Sequence, residues 1–457
     1  MTHGITEEKQ RQEMLNTPVP RLVTSLAVPT VITMLITVIY NTADTFFISQ
    51  INKSASAAVG AVYAVMSVIQ AVGYGFGMGS GSLCSRRLGQ HKHEEADRYC
   101  SSAFFAAAVV GGLIGILGLC LLEPMLSMLG CSETMMPYAI PYARYILMAA
   151  PVTCATFVLN NTLRSEGQAR LAMFGMAGGG LLNLFLDPLL IFVFHMGTAG
   201  AAIATALSQT VSFLVLLFQF LRKKTIIHIR LGNASRKLSD YGLILATGAP
   251  TICRQALGSV ASAALNIQAV VYGDAAVAAM TISNKCYILV RNVVIGIGQG
   301  FQPAAGFNYG AGCRKRARES FLFACKAGTA VCLVSAVVLA VFSKQILWWF
   351  CKDYEVLEYG RVALLYGCAA LPFLAFSTYV NQLYQCLGFK VPATFLASCR
   401  QGIFFLPVVL ILPRFVGVTG VQMAQPLADF LTFLISCPFL AAIFRNKLSE
   451  NQQTTES

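Results

Sequence analysis

The sequence predicts an all-α polytopic membrane protein, with twelve transmembrane helices in two six-helix bundles related by a parallel internal repeat. Three observations carry that prediction. Of 457 residues, 56% are hydrophobic and only 12% are charged, and the mean hydropathy is +0.65. A soluble chain carries about 45–50% apolar and about 25% charged residues. Apolar segments near the roughly 20 residues needed to cross a bilayer recur along the whole chain. The second half then repeats the glycine and proline punctuation of the first. The charge deficit excludes an ordinary soluble enzyme, a disordered chain and a nucleic-acid-binding module. The net charge of +13 has to be read against the spans before any anionic partner is considered.

Residues 1–21 are polar and read as a cytoplasmic tail, without the short apolar core and cleavage site of a secretory signal. Spans follow near 22–48, 57–83, 100–122, 138–163, 172–194 and 199–221, forming an N-lobe over 22–221. A polar linker occupies 222–240. Six more spans lie near 241–272, 275–302, 319–343, 361–387, 393–413 and 417–444, forming a C-lobe over 241–444, and 445–457 is a second cytoplasmic tail. The 15 cysteines are scattered, many within apolar runs, with neither disulfide spacing nor a CxxC zinc pattern, and read as small packing residues.

Basic residues orient the spans. With the N-terminus inside, 22 lysines and arginines fall on the inner connections, including Arg86, Arg87, Arg222, Lys223, Lys224, Arg314 and Lys315. Four fall outside: Lys53, Lys344, Lys352 and Arg414. This asymmetry implies an even number of spans with both termini cytoplasmic. It also accounts for the +13 as topology and attraction to anionic lipid.

A shift of 221 residues places Pro29 on Pro250, and Gly75, Gly77, Gly79 and Gly89 on Gly296, Gly298, Gly300 and Gly310. It also matches Pro151 with Pro372 and Asn160 with Asn381. Because six is even, both copies enter the membrane from the same side. Two such bundles enclose a cleft whose access alternates as one rocks against the other.

Ionisable groups inside spans are functional candidates by default. Asp44 lies in the first span, three residues from Asn41, and Asp187 in the fifth, four residues from Asn183, so each pair shares a helix face. Thr205 lies in the sixth span. The 221-residue shift maps Asp44, Asn183 and Asp187 to Leu265, Phe404 and Val408, and a shift of 220 maps Thr205 to Gln425. These carboxylates are therefore dispensable for a six-helix bundle and serve one lobe. Two acids with an amide and a hydroxyl oxygen suit a hard cation such as Na+. Mutual repulsion and burial equally suit a shared proton, or the acids cap and bridge helices at the membrane edge. Arg254, Lys285 and Arg291 are expected to snorkel or to bond helix ends. The glycine runs at 73–81 and 296–300 lack a Walker lysine and a preceding strand, and fit close helix packing rather than a nucleotide loop.

At Tyr40-Asn41-Thr42-Ala43-Asp44-Thr45-Phe46-Phe47 and Asn183…Asp187-Pro188 the chain resembles the multidrug and toxic compound extrusion (MATE) family, its DinF-type branch above all, over nearly its whole length. The resemblance implies an N-lobe cation or proton site at Asp44, Asn183, Asp187 and Thr205, with Tyr40, Asn160 and Met176 lining the N-lobe cavity. It implies no enzyme activity, no cofactor and no nucleic acid. The implied protein is a monomer in the cell membrane that exchanges H+ or Na+ for small amphipathic, often cationic organic compounds. NorM-type acids on the seventh and tenth spans are missing, so a NorM-like C-lobe site is not expected. Competing readings are a flippase for a lipid-linked precursor on a related scaffold, and a non-transporting membrane receptor, against which the short connections argue.

Overall fold

A bilayer offers no hydrogen bonds to an exposed backbone, so apolar runs of this length must satisfy themselves as helices. The computed structural model describes residues 2–222, 225–350 and 353–448; Lys223, Lys224 and Lys352 of the basic-residue count and residues 449–457 of the C-terminal tail lie outside the described residues. The N-lobe comprises α2 (Val19–Ser49), α3 (Lys53–Gly89), α4 (His93–Cys120), a short α5 (Leu122–Met128), α6 (Met136–Ser165), α7 (Ala169–Pro188) and α8 (Gly197–Leu221). The C-lobe repeats that order as α9 (Leu238–Val270), α10 (Asp274–Gly310), α11 (Arg314–Val341), a short α12 (Ser343–Phe350) and α13 (Tyr354–Leu387). Its eleventh span is a broken rod, α14 (Lys390–Ser398), α15 (Leu406–Ile411) and α16 (Pro413–Val416), and α17 (Val418–Asn446) closes the lobe. Most observed span ends lie within a few residues of the expected ones. Even the short helices repeat, since Leu122 shifted by 221 is Ser343.

The packing repeats as well. In each lobe the second helix lies against the third and fourth, and the fourth also packs on the third and sixth. The lobes meet through α3 on α9, its counterpart α2 on α10, and α3 crossing α10. Prolines sit inside matched helices, Pro29 and Pro250 in α2 and α9, Pro151 and Pro372 in α6 and α13. Each removes one backbone donor, tolerable where a neighbouring helix covers the freed carbonyl. The fifth and eleventh spans both loosen into a wide π-helical turn, at Leu189–Val193 just after Asp187-Pro188 and at Cys399–Phe405 around Arg400. Such turns mark functional places in helices.

Residues 2–16, read from the sequence as part of a polar tail, form a helix instead, α1 (Thr2–Asn16). Met14 near its end is 3% exposed and joins the core beneath α10. Among the described residues, ten helical segments are apolar enough to be recognised as spans by hydropathy. The two that fall short, α9 and α10, carry Arg254, Gln255, Lys285, Arg291 and Gln299 toward the space between the lobes. Their polarity is spent on a cleft rather than on lipid.

Candidate functional site

Between the lobes lies a cleft of about 510 Å³, walled by α2 and α3 on one side and by α9 and α10 on the other. It runs from Gln299 and Tyr74 at its floor to Ile48 and Ser56 beside the α2–α3 turn. Below the floor the lobes touch. A Cβ on Gly89 would stand 2.2 Å from Phe307 O, and one on Gly310 would stand 2.2 Å from Arg86 O. The 221-residue shift exchanges these two contacts, so α3 and α10 cross on the approximate twofold axis with only hydrogen between their backbones. Arg164 donates to Gln299 Oε1 at 2.7 Å and Arg86 to Leu387 O at 3.1 Å, both across the lobe boundary. Arg316 reaches Thr17 O at 2.6 Å and ties α11 to the chain just before α2. One end of the molecule is thus sealed by backbone contact and guanidinium bonds, while the other is open.

On the N-lobe side the two acids meet in one electrostatic neighbourhood with Tyr142. Tyr142 donates to Asp44 Oδ2 at 3.3 Å. Asn183 donates through Nδ2 to Asp187 Oδ1 at 3.1 Å and to Thr205 Oγ1 at 3.4 Å. Asp187 is 0% exposed. Asp44 borders both the interlobe cleft and a smaller N-lobe pocket of about 30 Å³ shared with Tyr40, Asn41, Thr205 and Gln209. That is space for a water molecule or a small ion.

The donor count decides what this cluster can hold. Asp44 Oδ1, Asn183 Oδ1, Asp187 Oδ2 and Gln209 Oε1 are buried acceptor oxygens with no donor in reach. A buried acceptor without a partner costs about 1–3 kcal/mol, more when charged. All four oxygens call for a positive charge or a donated proton rather than for an anion. Oxygen-only ligation with two carboxylates fits Na+ or H+. Among the described residues no group of three or more His, Cys, Asp or Glu could hold another metal.

The structure gathers Asp44, Asn183, Asp187 and Thr205, and puts Tyr40 beside them. It does not do so for Asn160 or Met176. Asn160 donates to Ala172 O, and its repeat partner Asn381 makes the same bond to Ala393 O. A bond present in both lobes ties the fourth helix to the fifth and is scaffold. Met176 packs against Leu159, Leu163 and Leu216, inside an apolar cluster. Neither side chain is among those lining the interlobe cleft or the small N-lobe pocket.

A third intramembrane acid escaped the sequence reading. Asp429 on α17 is 0% exposed and accepts from Arg400 Nε at 2.6 Å and from Gln425 at 3.0 Å. Tyr287 also donates to it and receives Arg400 Nη2 at 2.6 Å. Its repeat counterpart, at a shift of 220, is the neutral Gln209. The detectable signal was one arginine and one acid, each the only charged residue within its apolar span, in adjacent spans. The C-lobe thus carries its own built-in cation, the Arg400 guanidinium, where the N-lobe leaves oxygens open. Arg254, Lys285 and Arg291, expected to snorkel, instead line the cleft opposite Asp44.

Outside the spans, Glu166 follows α6 and is buried beneath the interlobe linker. Its carboxylate accepts from the backbone N–H groups of Ile226 and Ile227, both at 3.1 Å, and Gln10 of α1 donates to its carbonyl. Burial pushes the Glu166 carboxyl up to about 8, against the pull of those two donors.

Known proteins share this architecture. The MatE family profile matches residues 29–189 and 250–411, one stretch in each lobe. The chain is 26% identical over 441 residues to an FAD transporter of Shewanella oneidensis, covering 95% of this chain and 96% of that protein. It is 24% identical over 424 residues to the multidrug export protein MepA of Staphylococcus haemolyticus, covering 93% of each. A solved outward-facing conformation of a multidrug resistance MATE family transporter of the MOP superfamily superposes at a TM-score of 0.89, with 26% identity over 95% of this chain and 97% of that one. With the matching stretches covering both lobes, the chain belongs to the MatE family of membrane transporters.

Proposed function

We propose that this chain is an ion-coupled exporter of small amphipathic organic compounds, acting as a monomer in the cell membrane with both termini cytoplasmic. The sealed end gathers Arg86, Arg87, Arg164, Arg314 and Lys315, and an excess of basic residues belongs on the cytoplasmic side. The cleft then opens outward. H+ or Na+ enters at Asp44, Asn183, Asp187 and Thr205 and satisfies their open oxygens. It shifts the N-lobe wall through Asp44, which faces pocket and cleft alike, and substrate leaves. The π-helical turn after Pro188 supplies a place for α7 to repack. An ion moves the equilibrium only by its different affinity for the two states, and these oxygens provide that difference if their spacing changes as the lobes rock.

The observation that carries this reading is the set of four donorless oxygens on one lobe beside an already filled counterpart on the other. The relatives support transport of small organic compounds, and the substrates they are named for differ, multiple drugs for one and FAD for another. The test is efflux from vesicles under imposed H+ or Na+ gradients, comparing wild type with Asp44→Asn and Asp187→Asn. Gradient-driven efflux that is unchanged in both variants sinks the proposal.

A further inference from the structure

The C-lobe wall of the cleft presents Arg254 on α9 with Lys285 and Arg291 on α10, against a single lining acid, Asp44, on the opposite wall. Among the described residues none of the three cations lies within ion-pair distance of a carboxylate. Arg254 Nη1 and Arg291 Nε are buried without an acceptor. Arg400, the nearby guanidinium with a carboxylate partner, uses up Asp429 and leaves nothing to neutralise the other two.

Position keeps both arginines from bonding a helix end. Arg254 is sixteen residues from either end of α9 (Leu238–Val270), about 24 Å at 1.5 Å per residue. Arg291 is seventeen residues from the start of α10 (Asp274–Gly310) and nineteen from its end, about 25 Å and 28 Å. Each arginine thus sits at the middle of its helix, away from both helix ends, and lines the cleft. Uncompensated cations held at this depth are kept for a ligand that completes them.

We infer that the cleft binds organic anions, with a phosphate-like group seated on Arg254, Lys285 and Arg291 and a flat apolar part against Tyr63 and Tyr74. Three cations around one space favour a doubly charged group, and guanidinium forks match phosphate oxygens two at a time. Tyr63 and Tyr74 face the same cleft from α3, and Tyr74 is braced on Phe157 with ring centroids 4.1 Å apart. The anionic group belongs to a soluble organic phosphate or to an anionic lipid headgroup, which share this chemistry. The inference rests on the cleft being the substrate path of the proposed exporter, and it replaces the cationic cargo expected from the sequence with an anionic one.

The experiment uses the full chain in nanodiscs of phosphatidylcholine and two fluorescent probes, riboflavin and riboflavin 5′-phosphate, which differ only in the phosphate. The phosphate form is expected to bind at least 10-fold more tightly. Each of Arg254→Gln and Arg291→Gln should weaken binding of the phosphate form about 10-fold and so remove most of that preference, while riboflavin binding changes much less. Arg254→Lys and Arg291→Lys keep the charge and should keep part of the preference, with thermal melting confirming that each variant is folded. In discs containing phosphatidylglycerol, arginine-dependent competition with the flavin phosphate assigns the site to a lipid headgroup, and its absence assigns it to the soluble anion. Equal affinity for both flavins, together with no arginine-dependent effect of phosphatidylglycerol, overturns the inference. Binding is read without any gradient, so that failure leaves the coupling test at Asp44 standing, and a failed coupling test leaves the flavin result standing.

Discussion

Replacing Gly310 with alanine should loosen the sealed end of the molecule. The new Cβ would lie 2.2 Å from Arg86 O and 3.0 Å from that residue's carbonyl carbon and Cα. A carbon–oxygen contact relaxes at more than 3 Å, so α3 and α10 must part by about 1 Å, and no side chain can rotate to absorb it. Forcing a methyl into a packed site costs about 1–3 kcal/mol. If that cost falls only on the state in which this crossing is closed, the open state gains about 5-fold to 150-fold in relative weight. Cys386 reports on the seal because it is 1% exposed and its carbonyl lies 3.6 Å from where a Cβ on Gly306 would stand. With the other cysteines replaced, its reaction with a water-soluble thiol reagent should accelerate at least about fivefold in Gly310→Ala. Gly258→Ala is the control, since a Cβ there meets nothing within 4 Å. An unchanged Cys386 rate in a folded Gly310→Ala protein refutes the idea that this backbone crossing holds the end shut.

Arg400→Gln leaves Asp429 buried beside Tyr287 without its charge partner, and should lower stability by about 3–5 kcal/mol. A double-mutant cycle with Asp429→Asn, read by thermal melting, should show strong non-additivity. Thr205→Val removes the hydroxyl that accepts from Asn183, and should raise the ion concentration for half-maximal efflux about 10-fold while leaving the melting temperature nearly unchanged. Glu166, raised to about 8 from its ordinary 4.5, binds its proton more tightly when folded. Its stabilising contribution is therefore full below pH about 4.5 and is lost as pH rises through about 8. Hydrogen exchange at Ile226 and Ile227, corrected for intrinsic rates, should be faster at pH 9 than at pH 6, and Glu166→Gln should flatten that dependence.

Asp44 and Asp187 were legible in the sequence because a carboxylate in an apolar run is rare and the repeat supplied a copy of the lobe without them. Span positions were legible for a similar reason, since bilayer thickness sets a length that turns alone interrupt. What a span faces is not written in its composition. Arg254 and Arg291 look alike whether they snorkel or line a cleft, and only the packing of α9 on α3 and α10 on α2 settles it. Asp429 was hidden because its partner lies 29 residues away on a neighbouring span. Asn160 was ambiguous for the opposite reason. A buried amide in a span reads alike as a site residue or as a tie between helices, and its bond to Ala172 O, duplicated at Asn381, is visible only in the packing. The polar residues before α2 gave no hint that α1 would dock beneath α10 through Met14, a contact that depends on tertiary burial.

The most direct test of N-lobe coupling follows ion and substrate together in reconstituted vesicles, with H+ or Na+ flux recorded beside substrate flux. In wild type the ion should move opposite to the substrate in fixed proportion. In Asp44→Asn and Asp187→Asn the substrate should cease to follow the ion gradient, while the Arg400–Asp429 pair remains intact. Fixed-proportion exchange that persists when both N-lobe aspartates are asparagine would contradict it.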